Sequence, residues 1–251
     1  MTNSASESAT SVPTSAGKRV SILLGLGLAV AVIVGIAVEQ LQLVFDVDPA
    51  LLAELEASTT PNPSPALMEQ IRLSGMRAER LDAAVFVGLL GAVAAGAFAV
   101  GAVATGIKRG NAAVAIVIGV VAGGILGTAG GYASEMIAQE IEVHEMDELF
   151  RSLVVHVPAF ALIGLAAGFA AGGLKGAVLG CTAGLITVPI CVFGGMILFP
   201  QEKTLRSIPQ ESFHFTAWCV VALGLCALAV GRGLSAPPVA GTPEPASPDT
   251  A

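Results

Sequence analysis

The chain has 251 residues, of which 54% are hydrophobic and only 12% charged, with a net charge of −7 and a mean hydropathy of +0.80. Soluble domains carry about 25% charged residues, so this composition excludes an ordinary water-soluble domain, and no nucleic-acid partner is expected. The four cysteines, Cys181, Cys191, Cys219 and Cys226, lie within apolar stretches and form no C-x-x-C pair; that excludes a disulfide framework and a structural zinc site, and leaves them as small packing residues.

The first 19 residues are rich in Ser and Thr and hold almost no large apolar side chain. They cannot bury enough surface to offset the entropy of ordering, which predicts a disordered tail over 1–19. A first uncharged run follows at 20–38. A bilayer core about 30 Å thick needs about 20 residues at 1.5 Å each, so runs of this length are expected to span it. The run is preceded by Lys18 and Arg19 and contains the small-residue pattern Gly35-Ile36-Ala37. Its length exceeds the 7–15 residues of a signal peptide, so a retained anchor is expected. The connection over 39–82 is too short to form a sizeable core of its own. Within it an amphipathic helix from Pro65 to Arg80 is expected to run straight into the next span.

Spans at 83–107 and 112–132 come next, joined by the basic turn Lys108-Arg109-Gly110-Asn111. The second of them carries Gly119, Gly123, Gly127 and Gly131, one per helical turn on one face. Reflection about the turn places Val100, Gly96, Ala92 and Gly88 opposite them. Without a hydrophobic drive between helices in lipid, association depends on close packing, and small residues four apart let two backbones approach.

The connection SEMIAQEIEVHEMDELFR is the richest in ligand types. On one continuous helix Glu140, His144 and Glu148 would share a face and form a weak candidate site for a hard cation. The run H-E-M-D-E departs from the zinc-protease pattern H-E-x-x-H, because Glu148 stands where the second histidine is needed. A solvated acidic face resting on the membrane surface is the favoured expectation, with no metal, cofactor or catalytic residue assigned.

Spans at 153–172 and 177–199 contain the strongest periodicity in the chain: Gly164, Gly168, Gly172, Gly176, Gly180 and Gly184. With 21 glycines among residues 81–200, six in register are improbable by chance. One helix over 153–199 would run about 70 Å, more than twice the bilayer core. The chain is therefore expected to fold back at Gly172-Gly173-Leu174-Lys175-Gly176, pairing 164 with 184, 168 with 180 and 172 with 176. Leucine at Gly194 or Gly195, off the stripe, is expected to cost less than at Gly180. His156, near the outer end of the fourth span and two residues before Pro158, is the one ionisable side chain singled out within a span, as a protonatable or cation-coordinating candidate. A last span at 213–230 begins weakly, with His214 and Thr216, and a Pro/Ala-rich disordered tail follows over 233–251. Tyr132, Phe150, Phe199 and Trp218 are expected at the outer interface.

These elements predict an all-α polytopic integral membrane protein: a six-helix transmembrane domain over 20–232 with two glycine-zipper-like antiparallel hairpins. With the termini inside, the inner face carries six basic residues against three acids and the outer face six against sixteen. Every short inner turn is basic, which favours both termini in the cytoplasm and a multi-pass protein of the cell membrane. The bilayer is the first partner, with a homo-oligomer or a membrane-protein partner open. A glycine stripe names a packing mode and no activity. The functional expectation is a structural or accessory membrane protein and not an enzyme. A channel or carrier for a small solute or cation is the alternative, and Thr105, Thr128, Thr182 and Thr187 around one path would favour it.

Overall fold

The computed structural model describes residues 15–40, 45–58, 63–108, 111–142, 147–198 and 212–234. Among them are six helices, α1 (Ala16–Gln40), α2 (Pro49–Ala57), α3 (Pro65–Ala104), α4 (Ala112–Glu142), α5 (Glu148–Leu198) and α6 (Ser212–Gly233). All but α2 are long and apolar enough to cross a membrane, the pattern of a multi-pass membrane protein.

Local chemistry sets the helix ends. Asp48 caps α2, accepting a hydrogen bond from the Ala50 amide at 2.9 Å, and Ser64 caps α3, accepting from Leu67 at 3.2 Å. Each cap is followed by a proline, whose missing N–H costs nothing at that position. Asn111 caps α4 through Ala113 and Asp147 caps α5 through Leu149. The helix α3 continues without interruption from Pro65 into the apolar stretch, so the amphipathic segment and the span are one element. It closes with Gly106 at φ 70° while the Ile107 amide bonds the Ala102 carbonyl at 2.9 Å, a left-handed cap that glycine adopts without penalty.

The long element α5 is broken at Gly172 (φ −143°, ψ 22°) and Gly173 (φ 60°, ψ −145°). The second pair of angles lies in a region essentially confined to glycine. Beyond the break the chain returns along itself. A methyl at Gly168 would strike the Gly176 carbonyl oxygen and sit 3.1 Å from the Gly180 Cα; one at Gly164 would strike the Gly180 carbonyl and sit 3.4 Å from the Gly184 Cα. The expected pairs 168/180 and 164/184 are thus neighbours across the two halves. Gly172 does not meet Gly176. It belongs to the turn and faces the Leu234 side chain, whereas Gly176 abuts Gly168.

On α4, Gly119, Gly123, Gly127 and Gly131 all face α3, but the opposing residues differ from the reflected set. Gly123 abuts the Gly91 carbonyl and the Ala95 Cβ (2.7 Å), Gly127 the Val87 carbonyl and Gly88 Cα (3.0 Å), and Gly131 the Ala83 carbonyl. Gly96 instead lies beside the tip of Val120 (2.9 Å), and Gly88 beside the Thr128 hydroxyl and the Gly124 carbonyl (3.4 Å). The row facing the α4 glycines is therefore Ala83, Val87, Gly91, Ala95 and Ala99. The expected pairing of Gly96 with Gly123 is corrected to Gly91 with Gly123. The partner of each α4 glycine lies five residues earlier on α3 than the reflection placed it, and at about 100° per residue that brings a different face of α3 to the seam.

The remaining packing joins α1 to α6 in antiparallel fashion: Gly27 sits against Leu223 (3.2 Å), and Gly231 against Val20 (2.8 Å). The core between them holds Leu23, Phe98, Leu223 and Val230, all fully buried. These contacts bring the start of α1, the end of α6, the α3–α4 turn and the Gly172–Gly173 turn to one end of the bundle. Lys18, Arg19, Lys108, Lys175 and Arg232 all lie there. Every described Asp and Glu lies at or toward the other end.

Candidate functional site

The polar chemistry buried in the bundle gathers toward the acidic end, where α6 meets both halves of α5. Three pairs at helical i, i+4 spacing supply it: His156 and Phe160, Cys191 and Gly195, His214 and Trp218. His156 is fully buried, and its Nδ1 lies 2.6 Å from the Ser152 carbonyl oxygen, so Nδ1 carries the proton and Nε2 is left as the acceptor in the neutral ring. Its ring centre is 4.6 Å from that of Trp218 at an interplanar angle of 78°; the His214 ring is 5.0 Å from Trp218 at 89°. One indole is therefore flanked edge-to-face by two imidazoles, with Phe160 completing the wall at 5.7 Å.

Trp218, the single tryptophan of the chain, is 5% exposed, and its Nε1 is buried with no hydrogen-bond partner among the described residues. A Cβ on Gly195 would lie 3.0 Å from His214 Nε2 and 3.5 Å from Trp218 Nε1, so both ring nitrogens converge on the one position of that turn without a side chain. Gly195 is thus part of a packed site, with a side chain nearest its Cβ position where Gly180 has backbone. Cys191 Sγ approaches the Trp218 carbonyl at 4.0 Å. Such an arrangement packs the three rings edge against face, the geometry aromatic pairs prefer.

Proline at 158 does not break α5. The Ala159 amide donates to the buried Ser134 hydroxyl of α4 at 3.2 Å, and Gly130 of α4 lets that helix close to within 3.1 Å of Ala159 at the position of a Cβ. His156 is thereby fixed by a local carbonyl and by aromatic neighbours.

No single helical face joins Glu140, His144 and Glu148. The helix α4 ends at Glu142 and α5 starts afresh at Glu148, because the Asp147 carboxylate caps the new helix through the Leu149 and Phe150 amides (3.0 and 3.3 Å). Glu140 and Glu148 are exposed on different helices, and His144 lies outside the described residues. Among the described residues there is no cluster of three or more His, Cys, Asp or Glu able to hold a metal ion. The acidic end is held instead by Gln139, which accepts from Arg80 Nε (2.5 Å) and donates to the Met76 carbonyl (2.9 Å), tying the extended parts of α3 and α4 together. Further along α3, outside the apolar stretch, Arg72 forms an exposed ion pair with Glu69 at 2.6 Å. The hydrogen bond from Arg72 holds the Glu69 carboxyl below its ordinary pKa.

The threonines do not surround a common path. Thr105, Thr182 and Thr187 each donate to a carbonyl of their own helix, at 2.8, 2.9 and 2.9 Å; Thr182 is exposed on the outside of the bundle and Thr105 sits at the basic end. Of the aromatics expected at the outer interface, Tyr132 and Phe150 are exposed and Trp218 is interior; Phe199 lies outside the described residues. Compared with protein-family models, curated proteins and solved structures, the chain shows no match. The aromatic site therefore stands on its geometry alone. His214 was legible in the sequence through its i, i+4 relation to Trp218; Cys191 and Gly195 carried no comparable signal.

Proposed function

We propose that the chain crosses the cell membrane six times, with both termini in the cytoplasm, and serves there as a structural or accessory protein without enzymatic activity. The break at Gly172–Gly173 divides α5 into two halves of about 24 residues, each sufficient to span a bilayer. The close approach of Gly164 and Gly168 to Gly176 and Gly180 makes those halves an antiparallel pair resembling a glycine zipper. Clustering of Lys18, Arg19, Lys108, Lys175 and Arg232 at one end supports a cytoplasmic placement of that end.

The observation that carries the structural role is packing. Both hairpins meet backbone against backbone, no Asp, Glu, Lys or Arg lies within the apolar cores of the spans, and threonine hydroxyls close onto their own helices. A bundle of this kind holds a shape and offers its outer faces to lipid, to a second copy or to a membrane-protein partner.

A second reading, a carrier or channel for a small solute or cation, is favoured by one observation, the His156–Trp218–His214 constellation buried among the helices. Flux into sealed liposomes across protons, monovalent cations and small neutral solutes separates the two. The structural role predicts rates equal to those of protein-free vesicles. Saturable flux abolished by His156→Ala or His214→Ala would overturn it. Topology is tested by single cysteines at Ala57 and Asn111, both exposed, on a background with Cys181→Ser. An impermeant maleimide applied from outside should label 57 and not 111.

A further inference from the structure

Arg19 occupies the first turn of α1, directly before Val20, which packs on Gly231 of α6 (Cβ position 2.8 Å from Val20 Cγ2). Its Nε is buried and has no hydrogen-bond partner among the described residues. Arg232 follows Gly231 and is exposed, as is Lys18. Leu234 reaches from the same helix end to Gly172, and Gly233 lies against Leu179, so the α5 turn bearing exposed Lys175 adjoins this junction. Lys108, in the α3–α4 turn, stands 6.0 Å above the ring of Phe169 on α5. No Asp or Glu occurs anywhere in 83–134, 149–201 or 212–243, nor in 8–38, so the helices that converge here bring cations and no internal counter-charge.

We propose that this basic end, formed by Arg19 and Arg232 at the α1–α6 junction and by Lys108 and Lys175 at the two turns, is a docking surface for anionic phospholipid headgroups. A guanidinium N–H buried without an acceptor favours an oxyanion that takes several hydrogen bonds at once, and a phosphate does so. Phospholipid is favoured over free phosphate by what lies below the cations. Leu174 beside Lys175 is 79% exposed, Val178 one turn on is 61% exposed, and Phe169 beneath Lys108 is 38% exposed. A ligand whose phosphate meets the cations can lay its acyl chains along that apolar surface. The inference rests on the placement of this end at a membrane face.

The test reconstitutes the full chain in phosphatidylcholine vesicles with increasing phosphatidylglycerol, and follows thermal unfolding through Trp218 fluorescence and lipid association through quenching by brominated phosphatidylglycerol. Phosphatidylglycerol should be preferred over phosphatidylcholine, by about fivefold for each cation engaged, and the preference should fall with added salt. Arg19→Gln with Arg232→Gln should remove most of it. Arg72→Gln with Arg77→Gln, at the acidic end, should leave it unchanged. Equal association with both lipids, or equal loss from the two double variants, overturns the proposal. So does stabilisation by inorganic phosphate in phosphatidylcholine vesicles that matches that of phosphatidylglycerol. Failure of the chain to insert into phosphatidylcholine vesicles at all would defeat the membrane placement; insertion without lipid preference defeats the headgroup site alone.

Discussion

The two hairpins, α3 with α4 and the two halves of α5, use the same physics with different precision. In α5 the reversal is confined to Gly172 and Gly173, and both opposing faces carry glycine, so each backbone lies in the groove of the other. Between α3 and α4 the reversal takes the longer segment Thr105–Asn111, and only α4 presents an unbroken row of glycine; α3 answers with Ala83, Val87, Gly91, Ala95 and Ala99. A tight turn fixes the register from which the seam can be read. A longer one lets it shift, here by five residues, and one glycine row suffices because the empty space it leaves admits Ala or Val on the partner.

The largest effects should come from breaking both seams alike. Leucine at Gly180 or at Gly123 would drive a side chain into the carbonyl of Gly164 or Gly91, an immovable partner. Overpacking costs about 1–3 kcal/mol, and against backbone the upper end or more is expected. Thermal unfolding in detergent, read by Trp218 fluorescence, should show both losses, and a harmless Gly180→Leu would remove the hairpin from consideration.

The register itself is sharpened by Gly91→Leu against Gly96→Leu. The first meets the Gly123 carbonyl, the second the flexible end of Val120, so the first should be worse by about 2 kcal/mol. The reverse order would restore the reflected register and place Gly96 on the seam.

The turns differ next. Gly173 has open space around a Cβ but a φ, ψ pair that other residues adopt only under strain. Alanine there should cost about 1–3 kcal/mol with no steric cause. In the longer turn Gly106→Ala, at φ 70° and also in open space, should cost about 1–2 kcal/mol. Equal stability of wild type and Gly173→Ala would show that the reversal does not depend on that conformation.

The smallest effects lie away from both hairpin seams. Gly194→Leu has nothing within 4 Å of its Cβ and should stay within about 0.5 kcal/mol of wild type. Arg72→Gln, at an exposed surface pair, should leave stability essentially unchanged. Because the Glu69 pKa is lowered in the folded state, any contribution from that pair is present above its ordinary value of 4.5 and fades as pH falls through the lower folded value. An acid titration of the variant should therefore merge with wild type as pH falls through that lower value, with at most a small deficit above 4.5. A marked loss there would show that the extension of α3 matters to the bundle.

Sequence alone determined the all-helical class, the apolar stretches long enough to cross a membrane, the charge difference between the two ends and the existence of a reversal near Gly173. Each follows from local, additive quantities: the length of uncharged runs, the count of cations between them, and the length of helix a bilayer accepts. Only the tertiary structure decided that α3 presents Gly91 rather than Gly96, since that depends on the geometry of a turn. It alone separated Glu140 from Glu148, because the Asp147 cap restarts the helix there. It also placed Trp218 inside the bundle between His156 and His214, where hydropathy had put it at the interface. A side chain's neighbours depend on the rotation of each helix about its axis. That angle is set by all the contacts of the bundle at once and is written in no single stretch of the chain.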